Sequence, residues 1–77
     1  MIPEWQARLI TETEELFKKT NKLQDFTRTK EFFKLDRVRK DLLYAQLKHM
    51  TSYLQVLGKR IEVENLQNMI NIGGHVE

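Results

Sequence analysis

Nine basic side chains crowd the middle of this chain: Lys18, Lys19, Lys22, Arg28, Lys30, Lys34, Arg37, Arg39 and Lys40, against the three acids Asp25, Glu31 and Asp36. Lysine and arginine beside a helix start are phosphate ligands, because free backbone N–H groups point outward there as well. Arg37, Arg39 and Lys40 fall in the first turn of an expected helix, where the macrodipole disfavours cations. Helix stability is therefore not what puts them there. Lys18 and Lys22, four residues apart, repel mildly. The plain alternative for the whole cluster is a solubilising face at an exposed end.

No catalytic set emerges beside these cations. Glu12, Glu14 and Glu15 read as a solvated acidic face near a helix start. Ser52 has no histidine–aspartate partners in evidence. His49 adjoins Met50 and reads as the flank of a helix interface. The Gly73-Gly74 pair has no following helix to cradle a phosphate. Cysteine is absent, which excludes disulfides and thiolate metal sites, and the two histidines lie far apart. The expectation is a protein that is not an enzyme and holds no metal or cofactor.

Polar residues also interrupt the apolar pattern. Glu12 and Lys19 stand where a first helix wants apolar side chains, Gln46 and Tyr53 lie in or beside the strips of a second, and Arg60 flanks Ile61. One use for them is to fix pairing register at some expense of stability. The other is a polar pocket between copies, with lysine and arginine on phosphates and tyrosine stacking a base.

Two long helices must position these groups. Pro3 suits a first helical turn and Glu4 complements the positive helix end. Ile2, Trp5, Leu9, Leu16, Leu23 and Phe26 keep heptad spacing over a first helix of about residues 3–24, with gaps at Glu12 and Lys19. Residues 25–36 form the connection, rich in turn formers, with one short helical turn near Lys30–Lys34 and Asp36 as the next N-cap. A second helix of about residues 37–72 follows, either broken near Gly58 or continuous through it. Its seam is Leu43, Leu47, Met50, Leu54, Leu57 and Ile61. A second strip, Val38, Leu42, Ala45, Tyr53 and Val56, lies about 100° round the helix. Gly73-Gly74 is the expected stop, with a frayed end beyond it.

Seventy-seven residues make one domain with a poor surface-to-volume ratio. A two-helix hairpin also leaves one apolar strip without a partner. Both points predict an all-α antiparallel helical hairpin with a long second helix, assembled as a homo-oligomeric bundle. The seam residues Leu43, Leu47, Met50, Leu54, Leu57 and Ile61 are its expected interface, though which strip faces the first helix stays open. A turn near residue 31 would set Glu12 near Met50, Leu9 near Tyr53 and Trp5 near Leu57. No apolar run is long enough to span a membrane, and the N-terminus does not read as a signal peptide.

From Arg8 to Ile61 the chain resembles a family of small, largely uncharacterised helical-hairpin proteins of tailed bacteriophages, crAss-like phages among them. Glu12, Leu16, Lys19, Leu23 and Phe26 carry the likeness, then Phe32 or Phe33 and Leu35, then Leu42-Leu43, Gln46, Met50, Tyr53, Leu57 and Arg60-Ile61. The resemblance implies a phage accessory protein in a bacterial cytoplasm. By fold-level analogy with oligomeric phage sponges, it implies sequestration of a small anionic nucleotide signal of antiphage defence, of cyclic nucleotide or cyclic ADP-ribose type. The expected ligand-binding residues are Lys19, Arg37, Lys40, Gln46, Tyr53 and Arg60. Two alternatives stand beside this reading: a helical module docking on a host protein, and a nucleic-acid binder using the basic tip.

Overall fold

A computed structural model describes residues 2–70. Three helices are present, α1 (Glu4–Phe26), α2 (Lys30–Phe33) and α3 (Arg37–Val63), followed by a 3-10 turn at Gln67–Met69. The fold is all-helical, with α1 and α3 packed as an antiparallel pair in a rod of 48 × 22 × 19 Å. No described helix is long and apolar enough to cross a membrane. The expected stop at Gly73-Gly74 and the frayed end after it lie outside the described residues.

The inward face of α1 is not the one the leucine count suggests. Leu9, Thr13, Leu16, Thr20, Leu23 and Thr27 recur at steps of four and three, and all three threonines are buried. Their hydroxyls donate to carbonyls of their own helix: Thr13 to Leu9 at 2.8 Å, Thr20 to Leu16 at 2.7 Å and Thr27 to Gln24 at 2.6 Å. Threonine can thus enter an apolar seam with its polar group satisfied from within. Glu12 and Lys19 cannot, because a buried charge needs a partner. The helix is turned accordingly, leaving both on an exposed flank with Trp5 and Phe26 also exposed. The two supposed gaps in the heptad are therefore outside the packing seam.

The seam of α3 faces α1. Leu57 and Ile61 are buried with Leu9 and Leu66 in one cluster. These two belong to the chain's own core rather than to an interface between copies, which corrects the expectation for them. Leu43, Leu47, Met50 and Leu54 are half-buried along the same face. A second packed point lies at the hairpin tip. There the buried Phe32 ring meets Phe26, Phe33 and Tyr44 edge-on, at centroid distances of 5.9, 5.5 and 5.1 Å. Thr29 caps α2, its Oγ1 accepting from the Phe32 N–H at 3.2 Å and donating to the Phe26 carbonyl at 2.7 Å. The core thus sits at the two ends of the hairpin.

Register differs from the expected pairing by about one turn. Glu12 meets Tyr53 rather than Met50, and Leu9 packs on Leu57 and Ile61 rather than Tyr53. At the open end Gln6 Nε2 donates to Glu64 Oε1 at 2.9 Å. The cause is at the tip, where α1 runs on to Phe26 and the connection winds round Phe32.

Gly58 does not break α3. A Cβ built there meets nothing within 4 Å, so close helix approach is not its purpose. Gly58→Ala is expected to raise stability by up to about 1 kcal/mol, since glycine is the poorer helix former. Urea unfolding would read it, and a loss of stability would show that the site tolerates no side chain.

The helix stops at Val63, not near residue 72. Asn65 adopts φ 58, the left-handed conformation that asparagine tolerates better than most side chains. Its N–H donates to the Glu62 carbonyl and that of Leu66 to the Ile61 carbonyl, both at 3.0 Å, which is the Schellman arrangement. The accompanying apolar contact joins Leu66 to Ile61 and folds the chain back over the core.

At the other end of α3, Asp36 occupies the N-cap position without capping through its side chain. Its carboxylate instead accepts from Arg39 Nη1 at 3.0 Å, and that bond holds the Asp36 carboxyl below its ordinary 3.8. The stability this adds is present above pH 3.8 and is lost as pH falls through the lowered value.

A polar flank and an opposite cavity

The contact between Glu12 and Tyr53 fixes the geometry of one flank. The Tyr53 hydroxyl donates to the Glu12 carboxylate across the two helices. A step of seven residues is about two helical turns, roughly 10.5 Å. One step along each helix therefore brings Lys19 to the level of Gln46. One step the other way brings Trp5 to the level of Arg60. Four of the six expected binding residues, Lys19, Gln46, Tyr53 and Arg60, share this edge with two residues of other expected roles, Glu12 and Trp5.

Arg37 and Lys40 do not join it. At 100° per residue Arg37 points about 180° and Lys40 about 120° away from Gln46. The Arg37 side chain lies 3.7 Å from Asp41 in an exposed ion pair. The basic first turn is thus partly neutralised locally, by Asp41 and by Asp36 on Arg39. Such exposed pairs add little stability.

Along the flank, Trp5 and Tyr53 offer exposed aromatic faces. Lys19 and Arg60 have no ion-pair partner among the described residues. The Gln46 amide is turned along its own helix toward Met50 Sδ at 3.8 Å. Tyr53 is pushed above its ordinary 10.0, first because its proton is held by Glu12, then through desolvation and the Glu12 charge, with Arg60 opposing. The stabilisation from this bond is present below pH 10.0 and is lost as pH rises through the raised value. In Glu12→Gln the Tyr53 ionisation should move down toward 10.0 in an absorbance titration of tyrosinate. An unmoved titration would mean that the contact does not form in solution.

The back of α3 carries an unpartnered stripe. Val38, Leu42, Ala45, Val56 and Val63 follow steps of three and four when His49, Ser52 and Lys59 are counted between them. Leu42 is 65% and Val63 76% exposed. Tyr53, read from sequence as part of this strip, stands at its border.

Sequence patterning gave no hint of the feature on the other edge. A cavity of about 430 Å³ opens between Thr13 and Phe17 of α1 and the Thr51–Glu62 side of α3. Gln67 and Ile70, beyond the helix end, also line it. Only the glycine inside the helix pattern, Gly58, could have signalled it. A shallower hollow on α1 is lined by Glu4, Glu12 and Glu15 together with Arg8, which pairs with Glu4 at 3.1 Å. That hollow does not suit an anion.

No curated protein and no solved structure matches the chain. The model of the Sequestin family does match, over residues 3–63, a span that holds both long helices and the whole polar flank, and the chain belongs to that family.

Proposed function

We propose that this is a non-enzymatic phage accessory protein that sequesters a small anionic nucleotide signal of host antiphage defence. The family membership carries the reading, since the name Sequestin fits a sequestering role and the binding of some partner. The flank supports it with suitable chemistry. Lys19 and Arg60 supply cations without carboxylate partners among the described residues, and Trp5 and Tyr53 set exposed aromatic faces beside them. The mechanism is stoichiometric capture in the bacterial cytoplasm. Copies assemble through the back stripe of α3 and exclude water from the ligand held between them.

The test is calorimetry of the purified chain against a panel of cyclic mononucleotides, cyclic dinucleotides and cyclic ADP-ribose isomers. Saturable heat at a fixed ratio of ligand to protein is the expected result. Absence of heat from every member, with no small molecule released on denaturation, would sink the proposal.

The exposed back stripe favours one second reading, a ridge that docks on a host protein. Light scattering separates the two. A stable monomer at micromolar concentration favours docking, and a defined oligomer favours capture between copies.

A further inference from the structure

The cavity opposite the flank has the makings of a ring site. Its volume of about 430 Å³ falls toward the lower end of the roughly 300–1,000 Å³ typical of small-molecule sites. Its walls are the apolar side chains of Phe17, Leu54, Ile61 and Ile70. Its floor is Gly58, where a Cβ would meet nothing within 4 Å and would stand in the open space. A glycine inside a long helix is unfavourable, and close helix packing does not explain this one. An unobstructed floor does.

The polar groups define the guest. Among the described residues no cation lines the cavity and Glu62 is the sole charged residue in its wall, its carboxylate reaching Lys59 only at 4.0 Å. Those described residues offer a phosphate no cationic partner. The side chains of Gln55 and Gln67 make no hydrogen bond among the described residues, whereas the Thr13 hydroxyl is already engaged by Leu9. A carboxylate and free amides at the mouth of an apolar slot suit a neutral planar ring with amino donors and ring-nitrogen acceptors along its edge. We propose that this cavity receives the aminopurine ring of the sequestered nucleotide, a reading that rests on the function proposed above.

A second copy would complete the site. On α3 the back stripe is bordered on one side by Arg39, Gln46, Tyr53 and Arg60. On the other side it is bordered by Asp41, Lys48, Gln55 and Glu62. Antiparallel pairing through the stripe would set Arg39 opposite Arg60 and Asp41 opposite Glu62, like charge on like. Parallel pairing avoids both clashes and places Gln55 beside Arg60 of the other copy. The ring slot of one copy then adjoins the cationic flank of the next.

The experiment uses adenosine, guanosine and their 3′,5′-cyclic monophosphates with the full chain. At least one nucleoside should bind, more weakly than its cyclic nucleotide. Gly58→Leu should weaken both by tenfold or more without lowering the melting temperature. Arg60→Ala should weaken the cyclic nucleotide and leave the nucleoside unchanged. In the unaltered chain, ring protons should show nuclear Overhauser contacts to the Leu54 and Ile61 methyl groups, which holds the test even where Gly58→Leu fails to fold. Undiminished binding to a folded Gly58→Leu, or ring contacts to Tyr53 instead, overturns the ring site while the sequestering function stands. Failure of the unaltered chain to bind either nucleoside or either cyclic monophosphate overturns the ring site, and the sequestering function falls as well only when the wider panel above also gives no heat.

Discussion

Phe32→Ala is expected to destabilise the chain by about 3–5 kcal/mol, the range for truncating a buried aromatic. The Phe32 side chain is 0% exposed, and edge contacts to three other rings surround it. Such ring pairs add to plain burial. Alanine would leave Phe26, Phe33 and Tyr44 around a void, and the turn joining α1 to α3 would lose its anchor. Domains hold a margin of only about 5–15 kcal/mol, and one this small sits low in that range. Circular dichroism should therefore show an urea midpoint sharply lowered, with helix content already reduced in buffer. A change below about 1 kcal/mol would mean that the rings do not pack as described.

Leu57→Ala should cost about 2–5 kcal/mol at the opposite end of the rod. Leu57 is 0% exposed and shares a cluster with Leu9, Ile61 and Leu66. Its cluster neighbour Ile61 already lines the open cavity, so little can collapse to fill the new void, and the upper half of the range is expected. Concentration makes this variant diagnostic. A residue of the chain's own core gives a loss independent of protein concentration, whereas an interface residue gives one that fades as concentration rises. Unfolding midpoints over a hundredfold dilution series would decide. A concentration-dependent loss would return Leu57 to the interface between copies.

Much of this fold was legible in residue spacing. The seam from Leu43 to Ile61 is regular and marks α3, but spacing left open which of its two apolar strips faces α1, and the structure turns this seam inward. The first helix was legible in extent but not in rotation. Counting apolar residues selects Trp5 and Phe26 as inward and treats Glu12 and Lys19 as gaps. The true face alternates leucine with threonine, and threonine hides its hydroxyl in a bond that hydropathy does not register. The end of α3 was missed for a similar local reason. Asn65 closes the helix in a left-handed turn, and the glycines at 73 and 74 drew attention past it.

The candidate site divides in the same way. Lys19, Gln46, Tyr53 and Arg60 stood out as polar interruptions, and the structure sets them on one edge. Arg37 and Lys40 stood out by charge alone, and charge carries no direction on a helix. Trp5 was counted as core, and its place beside Arg60 follows only from register. Of the cavity only Gly58 could be read, since it arises where the fold-back after Val63 meets that glycine five residues before the helix end.

Fastening the rod at both ends gives its middle a particular freedom. Between Thr13 and Leu23 the contacts of α1 involve half-buried leucines and threonines already satisfied by their own helix. Parting the helices there strands neither threonine hydroxyl, and the two largest fully buried side chains, Phe32 and Leu57, lie toward the ends instead. The cheapest motion of the molecule is thus a bowing between two rivets. The cavity adjoins that span, so a guest can enter while the fold stays closed at its tip and its foot.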